Sequence, residues 1–138
     1  MQELSVLAVT KNLPQVLGFV DRNLEALGCG ASEQMQIDVS VEKIFVNIAS
    51  YAYTPNEGPV AIQFEATRDP VSMSIRFLDH GIPYDPLDAP EPDISSPLRE
   101  RKRGGLGIFI SRQYMDAIDY QYKDGQNILT LKKRLSPV

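Results

Sequence analysis

Residues 32–79 read SEQMQIDVSVEKIFVNIASYAYTPNEGPVAIQFEATRDPVSMSIRFLD, and the change of rhythm inside this stretch decides the fold. From Ser32 to about Ala52 the apolar residues Ile37, Val41, Ile44, Ile48 and Ala52 recur three and four apart, which sets them on one stripe of a helix. Thr54-Pro55-Asn56-Glu57-Gly58-Pro59 then breaks it, since proline has no N–H to donate and glycine favours turns. Beyond the break the period is two. Val60 to Ala66 and Val71 to Leu78 alternate apolar and polar side chains, with Arg68-Asp69-Pro70 between them as a turn, so an antiparallel hairpin is expected. A helix with one apolar stripe followed by half-buried strands specifies helix packed on sheet.

Upstream, Glu3 to Thr10 reads as a strand with Leu4, Val6 and Ala8 on one face. Asn12 is expected to cap a helix that carries Pro14 in its first turn, repeats Leu17, Val20, Leu24 and Leu27, and stops at Gly28. Downstream, His80 to Arg103 has no periodicity and holds Pro83, Pro86, Pro90, Pro92 and Pro97. Loops of that length inside a domain commonly serve as lids or binding loops. A glycine-rich string, Gly104-Gly105-Leu106-Gly107, opens a further helix to about Met115. Two strands, Ala117 to Lys123 and Asn127 to Arg134, follow, joined at Asp124-Gly125-Gln126. This order predicts an α+β fold, a two-layer sandwich of one mainly antiparallel sheet with helices on one face.

The 138 residues suit one domain, residues 1–138, large enough to fold without a staple. One cysteine, Cys29, and one histidine allow neither a disulfide nor a structural zinc site. With no basic leader and no apolar run near 20 residues, the sequence predicts neither signal peptide nor membrane span, and a cytoplasmic setting. The net charge of −4 argues against non-specific nucleic-acid binding.

Three clusters surround the long loop. Asn47 lies on the flank of an otherwise apolar helix, where a buried amide must serve as a structural bridge or a ligand contact. Asp79-His80-Gly81 ends a strand, where an aspartate is ordinarily a turn former. Gly104 to Gly107 precede a helix, whose N-terminus favours anions and whose glycines allow backbone N–H groups to approach them. Cys29 reads as a small loop residue and His80 as an exposed turn residue.

In this order and spacing, Glu42-Lys43-Ile44-Phe45-Val46-Asn47, Asp79-His80-Gly81-Ile82-Pro83-Tyr84-Asp85-Pro86 and Arg103-Gly104-Gly105-Leu106-Gly107-Ile108 resemble the nucleotide-site motifs of the GHKL (Bergerat-fold) ATPase superfamily, in particular its anti-sigma-factor serine/threonine kinases. The resemblance implies binding of ATP or ADP with Mg²⁺, a cation held by Asn47, adenine read by Asp79 and Gly81, and an ATP lid at about residues 82–103. It implies phosphates held by Arg103, Gly104, Gly105, Leu106 and Gly107, and Thr130 beside the adenine. Its partners are a sigma factor, an anti-anti-sigma-like protein or both, and homodimers are common in it. Adenine offers an amino group where guanine offers a carbonyl, so a carboxylate at Asp79 suits adenine, and an amide oxygen is a hard ligand suited to Mg²⁺.

One position departs from the resembling family. Active members carry a carboxylate four residues before the cation-binding Asn, and here that residue is Lys43. Glu42 is acidic but points about 140° away from Asn47 around the helix, against about 40° for Lys43. An ammonium is a poor general base, so two functions stay open: a kinase, or a nucleotide-dependent module that sequesters its partner with little phosphotransfer.

Overall fold

In a computed structural model the described residues are 1–68, 70–85 and 105–135, with side chains undescribed over 105–109. The order is β1 (Gln2–Leu7), a 3-10 turn (Thr10–Asn12), α1 (Leu13–Ala26), α2 (Ala31–Tyr51), β2 (Pro59–Thr67), β3 (Ser72–Asp79), α3 (Gly105–Tyr114), β4 (Ala117–Lys123) and β5 (Gln126–Arg134). The strands form one antiparallel sheet ordered β1-β2-β3-β5-β4. The α+β reading and the antiparallel sheet therefore stand.

The α2 stripe does what its spacing requires: Ile37, Val41, Ile44, Ile48 and Ala52 are all buried, and they share one core with Ile62, Phe64, Ile75, Phe77, Leu129 and Leu131 of the sheet. Alternation along β3 is complete, with Met73, Ile75, Phe77 and Asp79 turned to the core and the residues between them half-buried. A carboxylate thus occupies the last core-facing position of an apolar strand.

Asn12 does take the N-cap position of α1, but its side chain makes no cap bond. Its amide instead donates to Leu7 O at 2.9 Å, tying the helix entry back to β1. At the other end Gly28, at φ 74°, closes α1 with Gly28 N donating to Glu25 O and Cys29 N to Leu24 O, the paired bonds of a left-handed C-terminal cap. The β4–β5 hairpin turns on Asp124 and Gly125, both at positive φ, as a tight two-residue turn demands.

Candidate functional site

The site forms where the C-terminal ends of α2 and β3 meet the start of β5. Ala52 caps α2, and its carbonyl, one of those a helix end leaves without a partner, accepts Ile82 N at 2.9 Å. That bond brings the chain leaving β3 directly under the helix end. A Cβ on Gly81 would sit 2.3 Å from the Ala52 carbonyl oxygen, so only glycine fits there. On the far side Tyr53 Oη accepts His80 N at 2.8 Å and donates to Pro59 O at 2.6 Å, fastening the same corner to β2.

Asp79 lies across the ladder from Asn127. Both side chains are almost fully buried, 4% and 7% exposed, and they are bonded: Asn127 Nδ2 donates to Asp79 Oδ1 at 3.0 Å, and Gly81 N donates to the same oxygen at 2.8 Å. Asn127 also donates to Ile82 O at 2.9 Å and Gly81 O at 3.4 Å, while its Oδ1 accepts Tyr84 N at 3.3 Å and the Tyr120 hydroxyl. Burial pushes the Tyr120 phenol above its ordinary pKa, with the charges of Asp85 and Asp79 adding to it against the opposing backbone bond near Tyr84. Its hydroxyl therefore remains a donor across neutral pH.

Asp79 and Asn127 floor a cleft walled by Ile44, Asn47, Ile48 and Tyr51 of α2 and by Ile82, Tyr84, Tyr120 and Leu129. The mix of aromatic and aliphatic walls with few convergent polar groups is that of a small-molecule site. Asn47 Oδ1 is buried and has no hydrogen-bond partner among the described residues. Such an atom costs free energy until something fills its coordination. The donor set suits Mg²⁺, which takes one or two protein oxygens and completes its shell with water and phosphate. No group of three or more His, Cys, Asp or Glu side chains that could hold a metal occurs among the described residues. Among the described residues, Asn47 would hold the cation.

Residues 6–133 match the model of the histidine kinase-like ATPase domain. The chain belongs to that family. Over 91 residues, 66% of this chain and 63% of the relative, it is 36% identical to the serine/threonine-protein kinase BtrW of Bordetella bronchiseptica. It is 24% identical over 110 residues to the serine-protein kinase RsbW of Bacillus cereus, covering 77% of this chain and 68% of that one. Among solved structures, the RsbU and RsbW domains of a Mycobacterium tuberculosis protein superpose with a TM-score of 0.65 at 15% identity, covering all of this chain and 34% of that one. The SiaB–SiaC complex of Pseudomonas aeruginosa gives 0.50 at 17% identity over 94% of this chain and 88% of that one. At these identities the two structures attest the fold.

Within this ATPase fold the expected residues divide. Asn47 and Asp79 face one cleft, and Gly81 lies at its rim, held under α2 by packing. Gly105, Leu106 and Gly107 open α3. Arg103, Gly104 and the lid from residue 86 onward lie outside the described residues. Thr130 is a correction: it is paired with Arg76 and Asp119 and lines a hollow on the opposite face of the sheet with Gln63 and Lys132. Alternation is the reason, because Asn127, Leu129 and Leu131 take the core face and Thr130 must take the other. The residue that meets Asp79 is Asn127. Its signal was present in the sequence as an amide on the apolar side of an alternating strand. Lys43 is exposed and Glu42 half-buried, and neither lines the cleft. His80 is exposed, its ring 3.3 Å from Gln126 Nε2. Burial and the neighbouring Glu33 and Asp38 push the Cys29 thiol pKa up against the opposing charge of Lys133, which disfavours the thiolate.

No helix among the described residues is long and apolar enough to cross a membrane.

Proposed function

We propose that this chain binds ATP or ADP with Mg²⁺ in the α2–β3–β5 cleft and acts in partner switching, in the manner of anti-sigma-factor serine/threonine kinases. The observation that carries the reading is the pairing, in one cleft, of a buried, oriented carboxylate at Asp79 with the unpartnered amide oxygen of Asn47. The names of the relatives, serine and serine/threonine kinases, support the nucleotide and the phosphotransfer chemistry.

In this reading Asp79 accepts the adenine amino group, and Gly81 holds the floor close beneath α2. Asn47 holds Mg²⁺, which neutralises phosphate charge when bound. The α3 N-terminus, with Gly105 and Gly107, offers its positive dipole end to the phosphates, and the motif assigns Arg103 and Gly104 to the same phosphates. The partner is an anti-anti-sigma-like protein or a sigma factor, and the setting is cytoplasmic.

A second reading rests on Lys43, an exposed ammonium one turn from Asn47 where a general base belongs. It makes the chain a nucleotide-dependent sequestering module with slow phosphotransfer. Titration calorimetry with ATP, ADP and GTP in Mg²⁺ tests the shared part. Asp79→Asn should cost about 1.5–3 kcal/mol of adenine-nucleotide binding, the range for a hydrogen bond to a charged group. Absence of ATP binding, or equal affinity for GTP, refutes the nucleotide reading. Transfer of labelled phosphate to an anti-anti-sigma-like protein separates kinase from sequestering module.

A further inference from the structure

We infer that Asn127 is the positioning residue that sets which oxygen of Asp79 a ligand meets, and that it does so by locking the carboxylate to the chain leaving β3. The inference rests on the nucleotide reading and deepens it, since it concerns how that site tells one base from another.

The orientation of the Asn127 amide is dictated by its neighbours. On one side stand three acceptors, Asp79 Oδ1, Gly81 O and Ile82 O; on the other stand two donors, Tyr84 N and the Tyr120 hydroxyl. Only the NH₂ can face the first set and only the carbonyl the second, so a flipped amide would set acceptor against acceptor and donor against donor. The amide is therefore held from both sides.

Its effect falls on Asp79. Asn127 and Gly81 N both donate to Oδ1, and Oδ2 receives no donor among the described residues. A free carboxylate rotates about its last bond and offers either oxygen. This one, fixed at Oδ1 by two donors, keeps Oδ2 as the acceptor for a ligand in the cleft that Asp79 lines. Selection between an amino and a carbonyl group depends on an acceptor that cannot turn away, because a movable side chain adapts to the wrong base. The same amide clips Gly81, Ile82 and Tyr84 to β5, so the carboxylate and the rim of the cleft are set by one side chain. Tyr120 is the outer lock, its hydroxyl holding the Asn127 carbonyl from the edge strand β4.

The test compares ADP with GDP, each with Mg²⁺, by titration calorimetry on wild type, Asn127→Ala and Tyr120→Phe, with unfolding midpoints taken in parallel. Asn127→Ala should weaken ADP binding about tenfold or more, as loss of a hydrogen bond to a charged group does, and should lower the ADP-to-GDP affinity ratio. Tyr120→Phe, which keeps the ring and removes the outer lock, should lower that ratio by a smaller factor and supplies the reading if Asn127→Ala does not fold. In an Asp79→Asn background the Asn127→Ala effect on the ratio should vanish, because there is no carboxylate left to orient. A lowered midpoint with an unchanged ratio in the folded variants overturns the inference and leaves Asn127 a structural bridge. A wild type that binds no adenine nucleotide, or binds both bases equally, overturns it together with the nucleotide reading.

Discussion

The two ends of the cleft are built on opposite plans. At the β3–β5 end Asp79, Asn127, Gly81 and Tyr120 bond to one another, and both oxygens of that floor that face protein are occupied. At the α2 end Asn47 Oδ1 is buried without a partner, and Lys43 one turn earlier is exposed. If, as proposed, the first region reads a flat heterocycle, it gains from being rigid before the ligand arrives, since no ordering is left to do on binding. A region that must hold a cation gains from an oxygen with nothing else to bond, because binding then relieves a cost already present in the free protein. Under the proposed function, the difference separates base recognition from charge handling along a single helix and strand pair.

The largest expected effect falls on the open end. Lys43→Glu restores a carboxylate one turn from Asn47, and a positioned general base contributes about 10²–10⁴-fold to a rate, roughly 3–5 kcal/mol of barrier. Partner phosphorylation or phosphate release from labelled ATP should rise accordingly, with ATP binding weakened by the reversed charge. A wild type that transfers phosphate rapidly, and at the same rate after Lys43→Glu, would show that another group serves as base. Next comes the closed end. Gly81→Ala drives a methyl against the Ala52 carbonyl oxygen and should destabilise the fold by about 1–3 kcal/mol, the usual cost of overpacking. Chemical denaturation checks it, and an unchanged midpoint would mean that the floor is not rigid.

Asn47→Leu should move stability and binding in opposite directions. Removing an unsatisfied acceptor should raise the unfolding free energy without ligand by about 1 kcal/mol, while the Mg²⁺-dependent part of ATP affinity is lost. If both fall, the amide has a structural partner and the contrast between the two ends fails. A further prediction concerns a pair of carboxyls on α1 and α2 that do not line the cleft. Asp21 and Asp38 face each other between α1 and α2, and each leaves Oδ1 buried without a partner. A proton held between the two carboxyls would satisfy both oxygens: burial first, then the hydrogen bond and charge of Asp21, with Glu25 adding, raise the Asp38 carboxyl pKa to about 7. A carboxyl with a raised folded pKa binds its proton more tightly folded than unfolded, so stability should fall as pH rises from about 4 to about 7 and then level. Asp38→Asn should flatten that slope and stabilise the protein at pH 8, as read by thermal melts across pH. A slope that persists would place the proton elsewhere.

Much of this was legible in the sequence, for reasons visible residue by residue. The α2 stripe and the β3 alternation carried their periods without interruption, so element type and core face followed, whereas the burial of Asp79 on the core face, one residue past the alternating run, came from the structure. Asn47 stood out because an amide on an apolar flank needs a reason. Thr130 was misplaced because motif spacing counts residues along the chain, whereas a strand sorts them by parity, and odd and even positions of β5 face opposite sides. Asn127 shares the parity of Leu129 and Leu131 and was read as the first residue of the last strand, without a role in the site. The asparagine before α1 was placed correctly, but its bond was not, since an amide can donate backward to β1 as readily as it can accept from a helix N–H. The Asp21–Asp38 pair could not be foreseen, because its proximity depends on how two helices cross.

Asp79 and Asn127 occupy the same rung of the β3–β5 ladder, and that coincidence reaches beyond chemistry. A slip of one residue between these strands would send one of the two side chains to the far face of the sheet and would dismantle the floor of the cleft while costing few backbone bonds. Correct strand pairing and competence to bind are therefore the same event. Any ligand that requires both groups adds its binding free energy to the native register alone, which makes occupancy of the cleft an audit of how faithfully the chain has folded.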